Sequence, residues 1–365
     1  MSTPTGAPFG WAILGTGPVS RKFLLGLRAL GGTARVNVVA SRSPENATRF
    51  AADLGVARAA ATYADAAGAA DVDAVYIATP PSEHEAHALL AIAAGKPVLI
   101  EKPFALDAAA ARRIVKAARG GGVFCMEAMW TRFLPLLDNI RRRIAQGDLG
   151  EIRSFHGSFF GANRPDIGTS LFDPARGGGA LMYRGIYPLS LARHLLGPVT
   201  DLQAMARFGE TGVDEDCVLT LRHASGALSS LRAGLRSGGE NNATIHGTKA
   251  ILKIATPIYR PFAATLTPVR IAPRGPGSPQ RFETLREGTL AHMAYQHAGG
   301  LLQALRGRST KLKAAYRGNG YHYEAEAVRH AVAAGALESP VMPLSESIEI
   351  MELVDAARSQ WEIMR

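Results

Sequence analysis

The sequence predicts a two-domain α/β protein. A parallel sheet wrapped by helices spans residues 1–127, and an α+β unit with a large, mostly antiparallel open sheet spans residues 128–365. Three observations carry this. Continuous apolar runs alternate with helical stretches through the first third, which marks parallel strands buried on both faces. The first run ends in a glycine turn at Gly15-Thr16-Gly17. Beyond residue 150, strand-like runs follow one another with few helices between them, as in an antiparallel sheet.

The first strand is Trp11 to Leu14, and Phe23, Leu24 and Leu27 share one face of the helix after it. Val36 to Ala40 is the second run. Ser43 can cap the next helix and Pro44 suits its first turn. Ala74 to Ala78 is stopped by Thr79-Pro80-Pro81, and the helix after it ends at Gly95. Pro97 to Ile100 forms a further strand. Asp107 caps an Ala-rich helix ending at Gly120, and Val123 to Met126 returns as strand. Right-handed crossovers place all the strand C-termini on one sheet edge, where such sheets bind ligands. Gly15 to Gly17, Thr79-Pro80, Glu101-Lys102-Pro103 and Glu127 therefore converge there.

Gly15-Thr16-Gly17-Pro18-Val19-Ser20 has the G-x-G-x-x-small form of a dinucleotide-binding Rossmann turn. Its glycines allow a tight turn and a close approach of backbone to pyrophosphate, and the following helix N-terminus attracts the anion. After the second strand an NAD-preferring domain usually offers a carboxylate to the ribose 2′-hydroxyl. Here the chain reads Ala40-Ser41-Arg42-Ser43, with no carboxylate before Glu45. Arg42 can fork onto a 2′-phosphate, with Ser41 and Ser43 donating. The expected cofactor is NADP(H) in preference to NAD(H); the alternative is that Arg42 is a solvated loop residue.

In the second domain, Leu134 to Gln146 reads as helix. Strand-like runs follow at Glu151 to Gly161, Val199 to Phe208, Cys217 to His223, Ala227 to Leu235 and Ala243 to His246. Residues 272–279 have loop composition. Tyr323 to Ala334 and Ser345 to Ile363 read as C-terminal helices.

Composition narrows the function. With 47% hydrophobic and 20% charged residues the chain can build a large core. No apolar run reaches the roughly 20 residues that cross a bilayer, and residues 1–9 lack a secretory pattern, so a cytoplasmic protein that does not enter membranes is expected. Cys125 and Cys217 lie in apolar runs and read as buried thiols. The net charge of +10 is scattered, and its densest cluster, Arg141 to Arg143, reads as a solvated helix face. No nucleic-acid-binding motif accompanies it, so an anionic small molecule is the expected partner. The histidines show no metal-ligand spacing, and no metal is expected.

Lys102 sits at the tip of a buried strand, where its ammonium can polarise a substrate oxygen and where burial lowers its pKa. Glu101-Lys102-Pro103, preceded by Gly95-Lys96-Pro97-Val98-Leu99-Ile100, resembles the signature of the glucose–fructose oxidoreductase / inositol dehydrogenase / rhizopine catabolism (Gfo/Idh/MocA) family. Cys125 to Pro135, Gly177 to Ala180, Gly185 to Pro188, Gly247-Thr248 and Glu338 to Pro343 resemble its subgroup of dimeric dihydrodiol dehydrogenase and NADP-linked D-xylose dehydrogenase.

The resemblance implies that Lys102 is catalytic, that Tyr187 is its acid/base partner, and that Thr79, Pro80 and His84 lie by the cofactor, with Glu101 and Lys102. It also implies a homodimer formed through the free face of the second sheet. Oxidising a carbinol needs a base for the hydroxyl proton. A phenol with a pKa near ~10 becomes a better base beside a cation, so Lys102 is expected to lower Tyr187. Trp130, Arg132 and Phe133 either line the substrate pocket or pack the hinge. Many relatives carry an aspartate four residues before the acid/base position; here Tyr183 stands there, with Arg184 beside it. That departure points to an anionic or more aromatic substrate, or to reduced activity.

The expected reaction is hydride transfer between NADP(H) and a secondary alcohol or carbonyl of a sugar, cyclic diol or small polyol. The alternatives are a keto-sugar reductase similar to 1,5-anhydrofructose reductase, or a non-catalytic NADP-binding sensor.

Overall fold

The computed structural model describes residues 7–269, 288, 289, 293 and 309–363; the loop expected at 272–279 lies outside them. Six parallel strands form the first sheet: β1 (Phe9–Leu14), β2 (Ala34–Ala40), β3 (Arg58–Ala59), β4 (Ala74–Ile77), β5 (Val98–Glu101) and β6 (Cys125–Ala128). Their order is β3-β2-β1-β4-β5-β6. Direction reverses between β1 and β4, and a crevice opens at the strand ends of such a switch point. Helices α1 (Pro18–Leu27), α2 (Pro44–Leu54), α3 (Tyr63–Ala67), α4 (His84–Ala93) and α5 (Ala108–Gly120) join the strands. The caps act locally: Ser43 Oγ accepts from Asn46 N at 3.2 Å and Asp107 Oδ1 from Ala110 N at 2.7 Å. Trp11, Ile13, Leu14, Val38, Tyr76, Leu99 and Ile100 are wholly buried, each large apolar chain contributing about 1.5–3 kcal/mol.

The second sheet has eight strands: β7 (Ile152–Phe160), β8 (Val199–Phe208), β9 (Asp214–His223), β10 (Leu228–Gly234), β11 (Asn241–Gly247), β12 (Ala250–Ile254), β13 (Ala263–Pro268) and β14 (Thr310–Lys313). They run in the order β14-β13-β12-β11-β7-β10-β9-β8. β7 and β10 pair in parallel and the other neighbours are antiparallel. Helices α6 (Pro135–Ala145) and α7 (Ile186–Leu196) belong to this half. Alternation leaves a free face on which Met205, Val218 and Leu228 are 68%, 43% and 44% exposed.

Two C-terminal helices return to the first sheet. α8 (Tyr321–Ala333) packs on α1, and α9 (Leu344–Ile363) spans from β8 to α5. Gln360 Oε1 on α9 accepts from Ala204 N, and Asp355 Oδ2 accepts from Ala108 N, both at 2.8 Å. One helix thus ties both sheets together and fixes the cleft between them.

Candidate active site

The cofactor crevice starts at the glycine turn. Gly15 has φ +104°, and a Cβ there would lie 2.6 Å from the Ala78 carbonyl, so only glycine lets β1 and β4 close up. A Cβ on Gly17 would meet nothing within 4 Å. Pro18 starts α1, and its first turn carries no side-chain cap, which fits a pyrophosphate.

Thr16 Oγ1 donates to Ser41 Oγ at 3.3 Å, joining the two turns. Arg42 is exposed beside them. Ser43, expected to donate to a 2′-phosphate, instead caps α2 and donates to Glu45 at 2.7 Å, because a helix N-cap claims the nearest hydroxyl. Half-buried Val19 packs against the core. Thr79 Oγ1 lies 3.0 Å from His87 Nδ1, whose ring meets Tyr63 at 4.2 Å. The sequence reading missed Tyr63 and His87, which line this side only through folding.

His84 is buried, with its ring nitrogens 2.9 Å from the Pro103 and Thr79 carbonyls. Two acceptors favour an imidazolium, but burial pushes the ring's pKa down to about 4. At neutral pH the ring is neutral and donates to one of them. It bridges the ends of β4 and β5 beside Lys102, and Pro80 starts the turn leading to it.

Glu101 ends β5. Its carboxylate accepts from Tyr76 OH at 2.5 Å and from Lys102 N at 3.1 Å. Lys102 Nζ donates to the Tyr183 carbonyl at 3.3 Å. It also stands 5.4 Å from the Tyr183 ring centroid and 4.9 Å from that of Tyr187. Burial lowers the Lys102 pKa; Glu101 and Glu127 pull it up, while Arg184 and Lys22 push it down.

Tyr183 lies in a π-helical turn, Leu181–Gly185, that runs straight into α7, the helix that carries Tyr187. Such turns recur at functional sites. Its start is built by Gly179 and Asp214. Gly179 has φ +122°, and a Cβ there would sit 1.9 Å from Asp214 Oδ1. Asp214 accepts from Leu181 N at 2.7 Å, and burial pushes its pKa up to about 7. Nothing local in the sequence marks Asp214, since its partner Leu181 lies 33 residues away. The Tyr183 hydroxyl is tied to Ser170 Oγ at 2.6 Å.

Tyr187 OH accepts from Trp130 Nε1 at 3.4 Å. Trp130 stacks on Tyr321 at 4.5 Å, and Phe159 stacks on Tyr259 at 5.1 Å. Tyr187 lies 5.5 Å from Phe159 and 6.1 Å from Tyr259, so aromatic rings form one wall of the cleft. Phe159, Tyr259 and Tyr321 were not singled out from the sequence.

One expectation is corrected, and one pair of alternatives is decided. Lys102 does not lower the Tyr187 phenol. Burial raises it, and Glu101 raises it further, while the ammonium lies over the ring, 4.9 Å from its centroid. Arg132 does not face the cleft. Its side chain is wholly buried and pairs with Glu346 at 2.6 Å. Its remaining donors go to Ser190 Oγ and O, at 2.8 and 2.9 Å, and to Val341 O. Phe133 is partly buried against the hydrophobic core. Of the three residues, Trp130 alone reaches Tyr187.

The family model of an oxidoreductase with an NAD-binding Rossmann fold, GFO/IDH/MocA, matches residues 9–129, and the model of that family's C-terminal domain matches residues 137–253. The chain belongs to the GFO/IDH/MocA family. It is an NAD(P)-dependent oxidoreductase acting on CH–OH groups. Trans-1,2-dihydrobenzene-1,2-diol dehydrogenase of Oryctolagus cuniculus is 31% identical over 351 residues, covering 95% of this chain and 96% of that protein. The 3-ketoreductase KijD10 of Actinomadura kijaniata, solved with NADP and TDP-benzene, is 25% identical, covering 97% of this chain and 98% of that one, with a TM-score of 0.77. Levoglucosan dehydrogenase, solved with NADH and levoglucosan, shares the fold at 19% identity, covering 97% and 98%, with a TM-score of 0.78. No helix among the described residues is long and apolar enough to cross a membrane, and none of their His, Cys, Asp and Glu side chains group into a metal site.

Proposed function

We propose that the protein transfers hydride between NADP(H) and a secondary alcohol or carbonyl of a sugar, cyclic diol or small polyol, with Lys102 and Tyr187 as the acid/base pair. The carrying observation is the convergence at the β5 tip: the Lys102 ammonium stands 4.9 Å from the Tyr187 ring, at the mouth of the dinucleotide crevice. A bound nicotinamide supplies the hydride donor or acceptor. Lys102 holds the substrate oxygen with a charged donor, Tyr187 gives or takes its proton, and Trp130 fixes the phenol. Gly15 to Val19 would hold the pyrophosphate, Ser41 and Arg42 the ribose 2′-phosphate, and Thr79, Pro80, His84 and Glu101 the shape of the crevice.

The division after Glu127, a cytoplasmic setting and a homodimer through the free sheet face complete this reading. Exposed Met205, Val218 and Leu228 support the dimer. Reduction of a keto-sugar is a second reading, favoured by the protonated state of the Tyr187 phenol at neutral pH, the form that a carbonyl reduction starts from.

The test is steady-state turnover in both directions on a polyol and keto-sugar panel. Tyr187→Phe is expected to lose roughly 10²–10⁴ in kcat while still quenching NADPH fluorescence. A protein that binds NADPH and turns over no member of the panel is a sensor, and the enzymatic proposal fails.

A further inference from the structure

Arg184 is half-buried beside the aromatic wall and holds a charge that no carboxylate among the described residues neutralises. Its guanidinium lies over the Phe159 ring, 5.6 Å from the centroid, on the aromatic wall that reaches Tyr187. Nη1 donates to the Gly161 and Gly234 carbonyls and Nη2 to Asn163 Oδ1. These are neutral acceptors. A guanidinium carries five N–H donors, so two remain. No acid among the described residues pairs with it, and burial alone lowers its pKa. The charge is felt at the reacting end, where Arg184 pushes the Lys102 pKa down.

The seat is shaped for this side chain. A Cβ on Gly161 would lie 2.8 to 2.9 Å from three guanidinium atoms, so glycine is what lets the plane of the group lie flat on the backbone. The acids near Lys102 act on its ammonium and do not pair with Arg184. Glu101 is buried under Tyr76, and Glu127 is buried with Ser347 at 2.8 Å. A half-desolvated cation that lacks a counter-ion is costly unless a ligand supplies one.

We propose that Arg184 is an anion subsite and that the substrate carries a carboxylate or phosphate alongside its reacting carbinol or carbonyl. This rests on the oxidoreductase reading above. The guanidinium anchors the anion, Phe159 and Tyr259 cover the apolar face of the substrate, and the carbon between them and Lys102 is the one oxidised or reduced. Arg184 is thus a specificity residue and takes no part in proton transfer.

The experiment uses the full chain loaded with NADP⁺ or NADPH and matched probes: D-glucose, D-glucuronate and D-glucose 6-phosphate. Binding is read by calorimetry and turnover by NADPH absorbance. At least one acidic probe is expected to bind roughly 10–100-fold more tightly than glucose, as charge-assisted bonds imply, and the advantage shrinks with added salt. The carboxylate and phosphate arms identify which anion the seat takes. Arg184→Met is expected to bring the acid-to-neutral ratio within about threefold of one. Gly161→Ala, which displaces the guanidinium but keeps its charge, cuts the same ratio, and Arg184→Lys partly restores it. If glucose binds as well as both acids, or if Arg184→Met weakens acid and neutral probes equally, the subsite is wrong. Neutral-selective turnover overturns the subsite and leaves the oxidoreductase reading intact. Acid-selective binding without hydride transfer to any probe leaves the subsite and overturns the proposed chemistry.

Discussion

Replacing Arg132 tests the assignment of cleft and core most sharply. A side chain at the mouth of a substrate pocket changes KM when removed; a buried ion pair changes stability. Arg132 has no exposed side-chain surface, Glu346 is 17% exposed, and the two meet at 2.6 Å. Glu346 also faces Arg193 at 3.6 Å, and Arg193 pairs with Glu349 at 2.8 Å. The network joins the segment after β6 to α7 and α9.

Removing one partner of a buried pair costs about 3–5 kcal/mol, because the other charge is left behind. The two removals are unequal. In Arg132→Met, Glu346 keeps Arg193 and some solvent, so the main loss is the donors to Ser190 and Val341, and about 3 kcal/mol is expected. In Glu346→Gln the wholly buried guanidinium loses its nearest acid, and the cost moves toward about 5 kcal/mol. The double variant should cost less than the sum of the singles. Urea denaturation of each protein checks the order, with KM for substrate and NADPH measured on the same samples. A loss below about 1 kcal/mol in Arg132→Met, joined to a tenfold rise in substrate KM, would place Arg132 in the cleft and refute this account.

Arg42→Asp should exchange an anion clamp for a ribose acceptor, raising KM for NADPH at least tenfold and lowering that for NADH; unchanged KM values make Arg42 a solvated loop residue. Gly179→Ala forces a Cβ against Asp214 in a left-handed backbone conformation, so a loss of more than about 2 kcal/mol is expected in thermal or urea unfolding. Glu127 titrates at about 7 because it is buried. A carboxyl raised in the native state favours folding fully below its unfolded pKa, and that contribution fades as pH rises from about 4.3 to 7. Glu127→Gln should therefore gain on the wild type across that window and not above it, as urea midpoints at several pH values will show. His84 has the opposite sign: with its native pKa near 4, its contribution is whole above about 6.5 and is lost as pH falls toward 4.

The first sheet was legible because parallel strands buried on both faces advertise themselves locally. Trp11 to Leu14, Ala74 to Ile77 and Val98 to Ile100 are continuous apolar runs, and no partner is needed to recognise them. β3 has two residues, and β12, β13 and β14 are short, with alternating or threonine-rich patterns. Their strand character comes from ladder partners, which no window of sequence contains. Arg132 was open to misplacement for the same reason. An arginine just past a strand tip carries no mark of its direction, and the glutamate that claims it lies 214 residues away.

The reversed expectation for Tyr187 shows where side-chain chemistry outruns motif reading. Lys102 and Tyr187 do converge, but a cation lowers a phenol only when it faces the oxygen with its field unopposed. Here burial and Glu101 both raise the phenol, and the ammonium lies over the ring. Glu324, buried next to Glu101 with neither carboxylate oxygen hydrogen-bonded, has its pKa raised well above the ordinary range. It adds to the push of Glu101 on the Tyr187 phenol. Glu101 and Glu127 both pull on the Lys102 charge, the phenol keeps its proton, and the guanidinium of Arg184 has no acid paired with it among the described residues. In the proposed reaction, catalysis and recognition are separated along one aromatic wall: the proton is handled at Lys102 and Tyr187, and the substrate is chosen at the guanidinium of Arg184.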